Sequence, residues 1–297
     1  MLLASYLTGA FCVAATGAWY LLRREFNAEA RIMLRMGLGL GAVLLPIQLI
    51  FGHLNGEYIV HRQPSKMAAI EARWHDEKPA SEVLLAWPDV ANQRNLFAIT
   101  LPAPLGSLID SDSLSASEVG LDSIPPQDRP PVLIPFFAFR IMVGCGLLML
   151  ALAWAGSYLA AKGRLEHNRL LLWCTFLSFP LPFIAILTGW FTAEVGRQPW
   201  VVYGMLRTAD AMTPFLTTRA AAVSLVVFCT VYSFIFGFGV FYIYRLLRTG
   251  PIDRLIEPPV TAIPNRPMSV VDPHAHIRAP KIHDSEAVES VLGGKRT

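Results

Sequence analysis

Apolar residues in this chain fall in long unbroken blocks separated by polar connectors, not at the alternating spacing of half-buried strands or the three-to-four spacing of surface helices. Leu2 to Leu22 contains no charged residue. As a helix its 21 residues reach about 31 Å, the thickness of a bilayer's hydrocarbon core. Met36 to Leu54, Val132 to Ala161, Leu170 to Ala193 and Ala220 to Tyr244 are further blocks of this kind, and only the third span carries a charge, Arg140. The pattern predicts an all-α integral membrane protein of five transmembrane helices. Two of them lie in residues 1–54 and three in 132–249. The first block is read as a retained span: no basic stretch precedes it, it is longer than a signal-peptide core, and Arg23 and Arg24 follow at once.

Between the second and third spans lies a long loop, 55–131, with eleven acidic and six basic residues. It opens on a helix-like stretch, Ser65 to Trp74, and continues through Pro102, Pro104, Pro125, Pro126 and Pro130, which break helix and central strand alike. Loops of this length are usually functional or disordered, and this one retains Trp74, Trp87 and Phe97. After Gly250 the composition shifts to Pro, His and charged residues, so 250–297 reads as a disordered tail.

Basic residues near span ends set the orientation. Arg23, Arg24, Arg31 and Arg35, then Lys162, Arg164 and Arg169, then Arg245 and Arg248, flank three connectors that should face the cytoplasm. The connector from Glu194 to Arg219 also holds three arginines and dissents. Five spans then put the N-terminus and the 55–131 loop outside and the C-terminus in the cytoplasm.

Composition agrees with the pattern. The chain is 54% hydrophobic and 16% charged, against roughly 45–50% and about 25% in soluble domains. The net charge of +3 is spread without a basic stripe, which excludes a nucleic-acid partner. Cys12, Cys145, Cys174 and Cys229 lie within apolar blocks without a CxxC pair and read as small hydrophobes. No histidine lies inside a span; His53 stands at the outer margin of the second.

Ionisable groups in or beside spans are candidates for function. Arg140 has no acid within a helical turn, so it requires a partner from elsewhere, a cofactor carboxylate or a Glu of another helix. Met142, two residues on, is either packing or a thioether ligand to haem iron. On a helix Trp190, Glu194 and Arg197 share one face. Glu194 and Arg197 read equally as an interfacial salt bridge within an aromatic belt or as a metal-ligating carboxylate with an Arg beside a propionate. Lys66 and Glu71 are either solvated charges or the groups that hydrogen-bond a quinol head group and take its protons.

Three blocks in order, Lys66-Met67-Ala68-Ala69-Ile70-Glu71 with Trp74, Ala138-Phe139-Arg140-Ile141-Met142, and Gly189-Trp190-Phe191 through Glu194 to Gly196-Arg197-Gln198-Pro199-Trp200, resemble subunit I of the cytochrome bd-type quinol oxidases. The short loop resembles the cyanide-insensitive type. The resemblance runs from about Ser5 to Pro251 and covers the C-terminal five-span portion of a longer subunit.

It implies that Lys66 and Glu71 bind quinol, and that Met142 is an axial ligand of the low-spin haem b with Arg140 beside it. Glu194 would ligate the high-spin haem b, with Trp190 between the haems and Arg197 near a propionate. No catalytic residue is implied beyond the haem sites. The implied cofactors are low-spin and high-spin haem b, with haem d or a third haem b in the full complex. The implied partners are subunit II, a small third subunit, the missing N-terminal part of subunit I, ubiquinol or menaquinol, and lipid of the bacterial inner membrane. The reaction implied is quinol oxidation coupled to reduction of oxygen to water. His53 stands where relatives tend to have an acid. Two rival readings use the same residues: a non-catalytic fragment without haem, and a transporter working through Arg140 and Glu194.

Overall fold

The computed structural model describes residues 1–76, 82–101, 119–211, 213 and 216–250. The Pro102 and Pro104 stretch and the tail beyond Gly250 lie outside the described residues. Five helical segments are long and apolar enough to cross a membrane, as the sequence predicts.

Helices α1 (Leu2–Arg23) and α2 (Asn27–Arg62) form an antiparallel pair. The turn between them needs two left-handed residues, Arg24 at φ 62 and Phe26 at φ 46. The α2 helix runs to Arg62, beyond the span read from the sequence, and carries Pro46 in its interior. Gly37 lets α1 and α2 approach: a Cβ there would lie 2.8 Å from Ala14 Cβ and 2.9 Å from Ala14 N. In a membrane such close packing of small residues, more than exclusion from water, holds helices together. Ala14, Ala18, Leu34 and Leu38 with Leu165, Leu171 and Leu172 form one buried cluster. Leu7, Phe11, Leu45, Met149 and Ala153 form another.

The loop between the second and third spans has more structure than its proline content suggests. It holds α3 (Pro64–Glu71) and an antiparallel hairpin of β1 (Glu82–Asp89) and β2 (Arg94–Leu101), a pair of strands that the apolar pattern does not predict. Pro64 sits at the first helical position, where its missing N–H is harmless. Two stretches of the loop far apart in sequence are joined: Leu121 N and Asp122 N donate to Arg73 O and Trp74 O, both at 3.0 Å. A 2.7 Å contact between His75 Nδ1 and Asp122 Oδ2 reinforces the closure.

The third span is α4 (Leu133–Ala161), which packs on α2. Where it begins, Ala68, Ala69, Ala72, Trp74, Leu121, Val132 and Phe136 make a core of the loop's own. The fourth span is two helices, α5 (Arg169–Leu177) and α6 (Leu181–Val195). Pro180 lacks an N–H and disfavours helical backbone before it, so the ladder stops and restarts there. Asn168 caps α5 by accepting from Leu171 N at 3.1 Å. Glu166 accepts from Arg31 and Arg35, each at 2.8 Å, and so ties the α2 entrance to the connector before α5. The fifth span is α7 (Thr218–Thr249), none of whose residues is buried by the rest of the chain. It is held near its C-terminal end, where Tyr20 Oη donates to Leu247 O.

Candidate functional site

The three motif blocks converge where α4 begins and α6 ends. Lys66, on α3, is 9% exposed and donates from Nζ to the carbonyl of Ala193 at 3.3 Å, next to Glu194. Its stem packs beside Gly196. Burial and the neighbouring Arg197 push the Lys66 amine down, and Glu194 partly offsets them. The first and third motifs thus touch, a juxtaposition the sequence alone does not disclose.

Glu71 points elsewhere. Five residues along a helix is a rotation of about 140°, and Glu71 pairs with Arg73 at 2.5 Å, the two side chains 13% and 6% exposed. Helical spacing does not single out Arg73, because an i,i+2 pair does not share a helix face. The helix ends at Ala72, however, with φ 53, and the turn brings Arg73 back onto the carboxylate. Trp74 is fixed behind it, donating from Nε1 to Asn95 Oδ1 at 2.9 Å, while Asn95 Nδ2 donates to Ala72 O at 3.0 Å.

The partners of Arg140 include backbone carbonyls, which the sequence does not suggest. Its Nε donates to Leu84 O at 2.8 Å, and one terminal nitrogen donates to Ile70 O and Phe136 O, each at 2.9 Å. The other reaches Val83 O. The guanidinium also lies over the Phe136 ring, 3.3 Å from its centroid. Arg140 therefore gathers α3, β1 and the first turn of α4, and the Trp87 ring packs on Phe137 at 5.5 Å alongside.

Met142 lies farther along α4, at its contact with α6, and its sulfur rests against Gly189. Trp190 follows on α6, half exposed and tilted against Phe191. Glu194 and Arg197 form an ion pair at the end of α6, with side chains 38% and 44% exposed. Beyond it the chain folds back as β3 (Trp200–Val202) and β4 (Leu206–Arg207). Gln198 Oε1 accepts from Thr208 Oγ1 at 2.7 Å and Pro199 O accepts from Thr208 N at 2.8 Å. Arg207 stacks over Trp200 at 5.3 Å and bonds Asp128 of the 55–131 loop at 2.6 Å. Gln198, Pro199 and Trp200, to which the resemblance gives no role, thus build the hairpin behind the ion pair. His53 pairs with Glu57 at 3.3 Å on α2.

Among the described residues no group of three His, Cys, Asp or Glu side chains is placed to hold a bare metal ion. A haem brings its own four equatorial nitrogens and takes single axial donors from protein. A thioether where two membrane helices meet and a carboxylate braced by an arginine are donors of that kind.

The fold is that of an integral membrane helical protein with a structured loop between its second and third spans. The sequence profile described as cytochrome bd terminal oxidase subunit I matches residues 1–251, and the chain belongs to that family. It is 31% identical over 259 residues to cytochrome bd ubiquinol oxidase subunit 1 of Bacillus subtilis (strain 168), covering 82% of this chain and 54% of that one. It is 29% identical to cytochrome bd-II ubiquinol oxidase subunit 1 of Escherichia coli (strain K12), covering 86% and 62%. The bd oxidase structure from Geobacillus thermodenitrificans superposes with a TM-score of 0.71 at 27% identity, covering 84% of this chain and 57% of that one. The chain thus spans little more than half the length of the relatives it matches.

Proposed function

We propose that this chain supplies the quinol site and two haem b ligands of a bacterial terminal oxidase that oxidises quinol and reduces oxygen to water. Family membership supports the class. The observation that carries the site is the bond from Lys66 to Ala193, which packs the loop's first motif against the segment bearing Glu194 and Arg197.

Met142 and Glu194 would each offer one axial donor, to low-spin and high-spin haem b respectively. Arg197 pairs with the Glu194 carboxylate and would, with Arg140, offer positive charge to the propionates. Trp190, between the two donors in sequence and adjoining the Met142 contact, is the aromatic bridge. Bound haem supplies one-electron chemistry, with haem d or a third haem b serving oxygen in the complete enzyme. The protein's part is to bind quinol at the outer surface and take its protons. Each quinol gives two electrons and two protons, so two quinols and one oxygen yield two quinones and two waters. Glu71, held by Arg73, is the carboxylate that accepts a proton; Lys66 hydrogen-bonds the head-group oxygen.

In this reading the outer loop is periplasmic, the N-terminus is outside and residues 250–297 are cytoplasmic. The partners are subunit II, a small third subunit and the N-terminal part of subunit I, with ubiquinol or menaquinol as donor.

Reduced-minus-oxidised visible spectra of membranes carrying the complex test it. Met142→Leu removes the low-spin band and Glu194→Gln the high-spin band. Lys66→Ala and Glu71→Gln abolish quinol oxidation with both bands intact. Spectra unchanged by the first two variants, or turnover unchanged by the second two, would refute the assignments.

A further inference from the structure

We propose that Gly189 is a positioning residue that seats the Met142 thioether between α4 and α6. The inference rests on Met142 being a haem ligand for its functional meaning, but the contact itself is independent of that reading. A Cβ built on Gly189 would lie 2.8 Å from Met142 Sδ and 3.7 Å from its Cγ. The first distance is about 1 Å inside van der Waals contact. The glycine is therefore a notch into which the sulfur fits, on the helix that also carries Trp190 and Glu194.

The neighbouring glycines are not equivalent. Gly144 and Gly146, on the same helix as Met142, face open space: a methyl added at either would have nothing within 4 Å. Close approach is thus specific to position: Gly156, farther along α4, meets Leu38 of α2, and where α4 and α6 meet the glycine in close contact is Gly189. Methionine has three flexible torsions, so an added methyl at Gly189 is accommodated by swinging the sulfur aside while the backbone stays in place. The fold tolerates that movement. An iron–sulfur bond does not, because the donor must meet the metal at a fixed distance and direction, and groups that only orient a ligand typically change metal affinity by about 10–100-fold. Gly189 also sits one residue before Trp190, so the same contact fixes the separation between the thioether and the indole.

The test uses membranes containing the assembled complex, with Gly189→Ala, Gly144→Ala, Met142→Leu and the double variant Gly189→Ala/Met142→Ala. Two quantities are read: the low-spin haem b band, and the rate at which dilute hydrogen peroxide converts Met142 to the sulfoxide, followed by peptide mass spectrometry. Gly189→Ala is expected to lose more than about half of the low-spin band with the high-spin band retained, and to oxidise several-fold faster at Met142 as the sulfur leaves its notch. Gly144→Ala is expected to match the parent in both. A full low-spin band in Gly189→Ala, alongside its loss in Met142→Leu, overturns the proposal. If Met142→Leu keeps the band, the ligand assignment fails instead, and the oxidation rate alone decides the notch: faster supports it, unchanged overturns it. Should Gly189→Ala fail to accumulate, the double variant decides. With the sulfur removed the methyl has room, so accumulation equal to Met142→Ala supports the contact and continued failure overturns it.

Discussion

Replacing Arg140 with methionine keeps an apolar stem of similar length and removes the guanidinium. Three of its hydrogen bonds cross between elements, to Ile70, Leu84 and Val83. Bonds to a charged group contribute about 1.5–3 kcal/mol each where water is excluded. The β1 carbonyls lie at the loop surface, where water replaces a lost donor, so the net loss falls to about 2 kcal/mol. That is about a 30-fold rise in the population detached from α4. A two-stranded hairpin is marginal by itself, so β1 and β2 fray once detached. Amide hydrogen exchange over Glu82–Leu101 reads this directly. Protection there should fall about 30-fold in Arg140→Met, while α1 and α2 exchange as before. Unchanged hairpin exchange would show that the packing of Trp87 on Phe137, not the arginine, holds the loop to the membrane helices.

Other perturbations follow from the same geometry. The Lys66 amine is held below the usual lysine range, chiefly by burial. The fold therefore binds that proton less well than the open chain, and stability rises with pH up to the unfolded value of about 10.4; thermal midpoints in detergent should climb through this alkaline window, and Lys66→Met should flatten the climb. Gly37→Ala presses a methyl against backbone and should lower the midpoint by an amount equivalent to about 1–3 kcal/mol, while Gly39→Ala, with nothing within 4 Å, leaves it unchanged; equal effects would refute the close approach of α1 and α2. Arg207→Ala removes both the Asp128 bond and the stack on Trp200. It should raise exchange of the Trp200–Arg207 amides about 5-fold, equivalent to about 1 kcal/mol, and an unaltered rate would mean that the Thr208 bonds suffice.

The spans are legible in the sequence because length and apolarity alone decide them; the break in the fourth is not, since Leu170 to Ala193 reads as one unbroken apolar block. The i,i+3 pairing of Glu194 with Arg197 follows from helical spacing and is present. The β1–β2 hairpin is not legible. Pro88 interrupts its first strand, and its turn lacks Asn-Gly or Asp-Gly; instead Asp89 accepts from Asn92 and Gln93 takes φ 50. The partner of Glu71 is hidden by a local event, the left-handed Ala72, which ends a helix that periodicity extends to Trp74. Residue types direct the search for an Arg140 partner to acids, whereas its acceptors include peptide carbonyls up to 70 residues away in sequence. Carbonyls leave no mark in residue types, so no pattern of side chains reveals them.

The bare helix α7 sets a different rule for its own sequence. Elsewhere in the bundle particular positions are chosen for shape as well as polarity: a methyl added at Gly37 or Gly189 meets another atom. Along α7 the described residues bury no position before Leu247, so they impose apolarity and length and no shape. Wherever lipid alone surrounds it, Val, Leu, Ile and Phe are interchangeable. A leucine scan of the helix is therefore a contact map: positions that accept leucine face acyl chains, and positions that reject it face another protein segment.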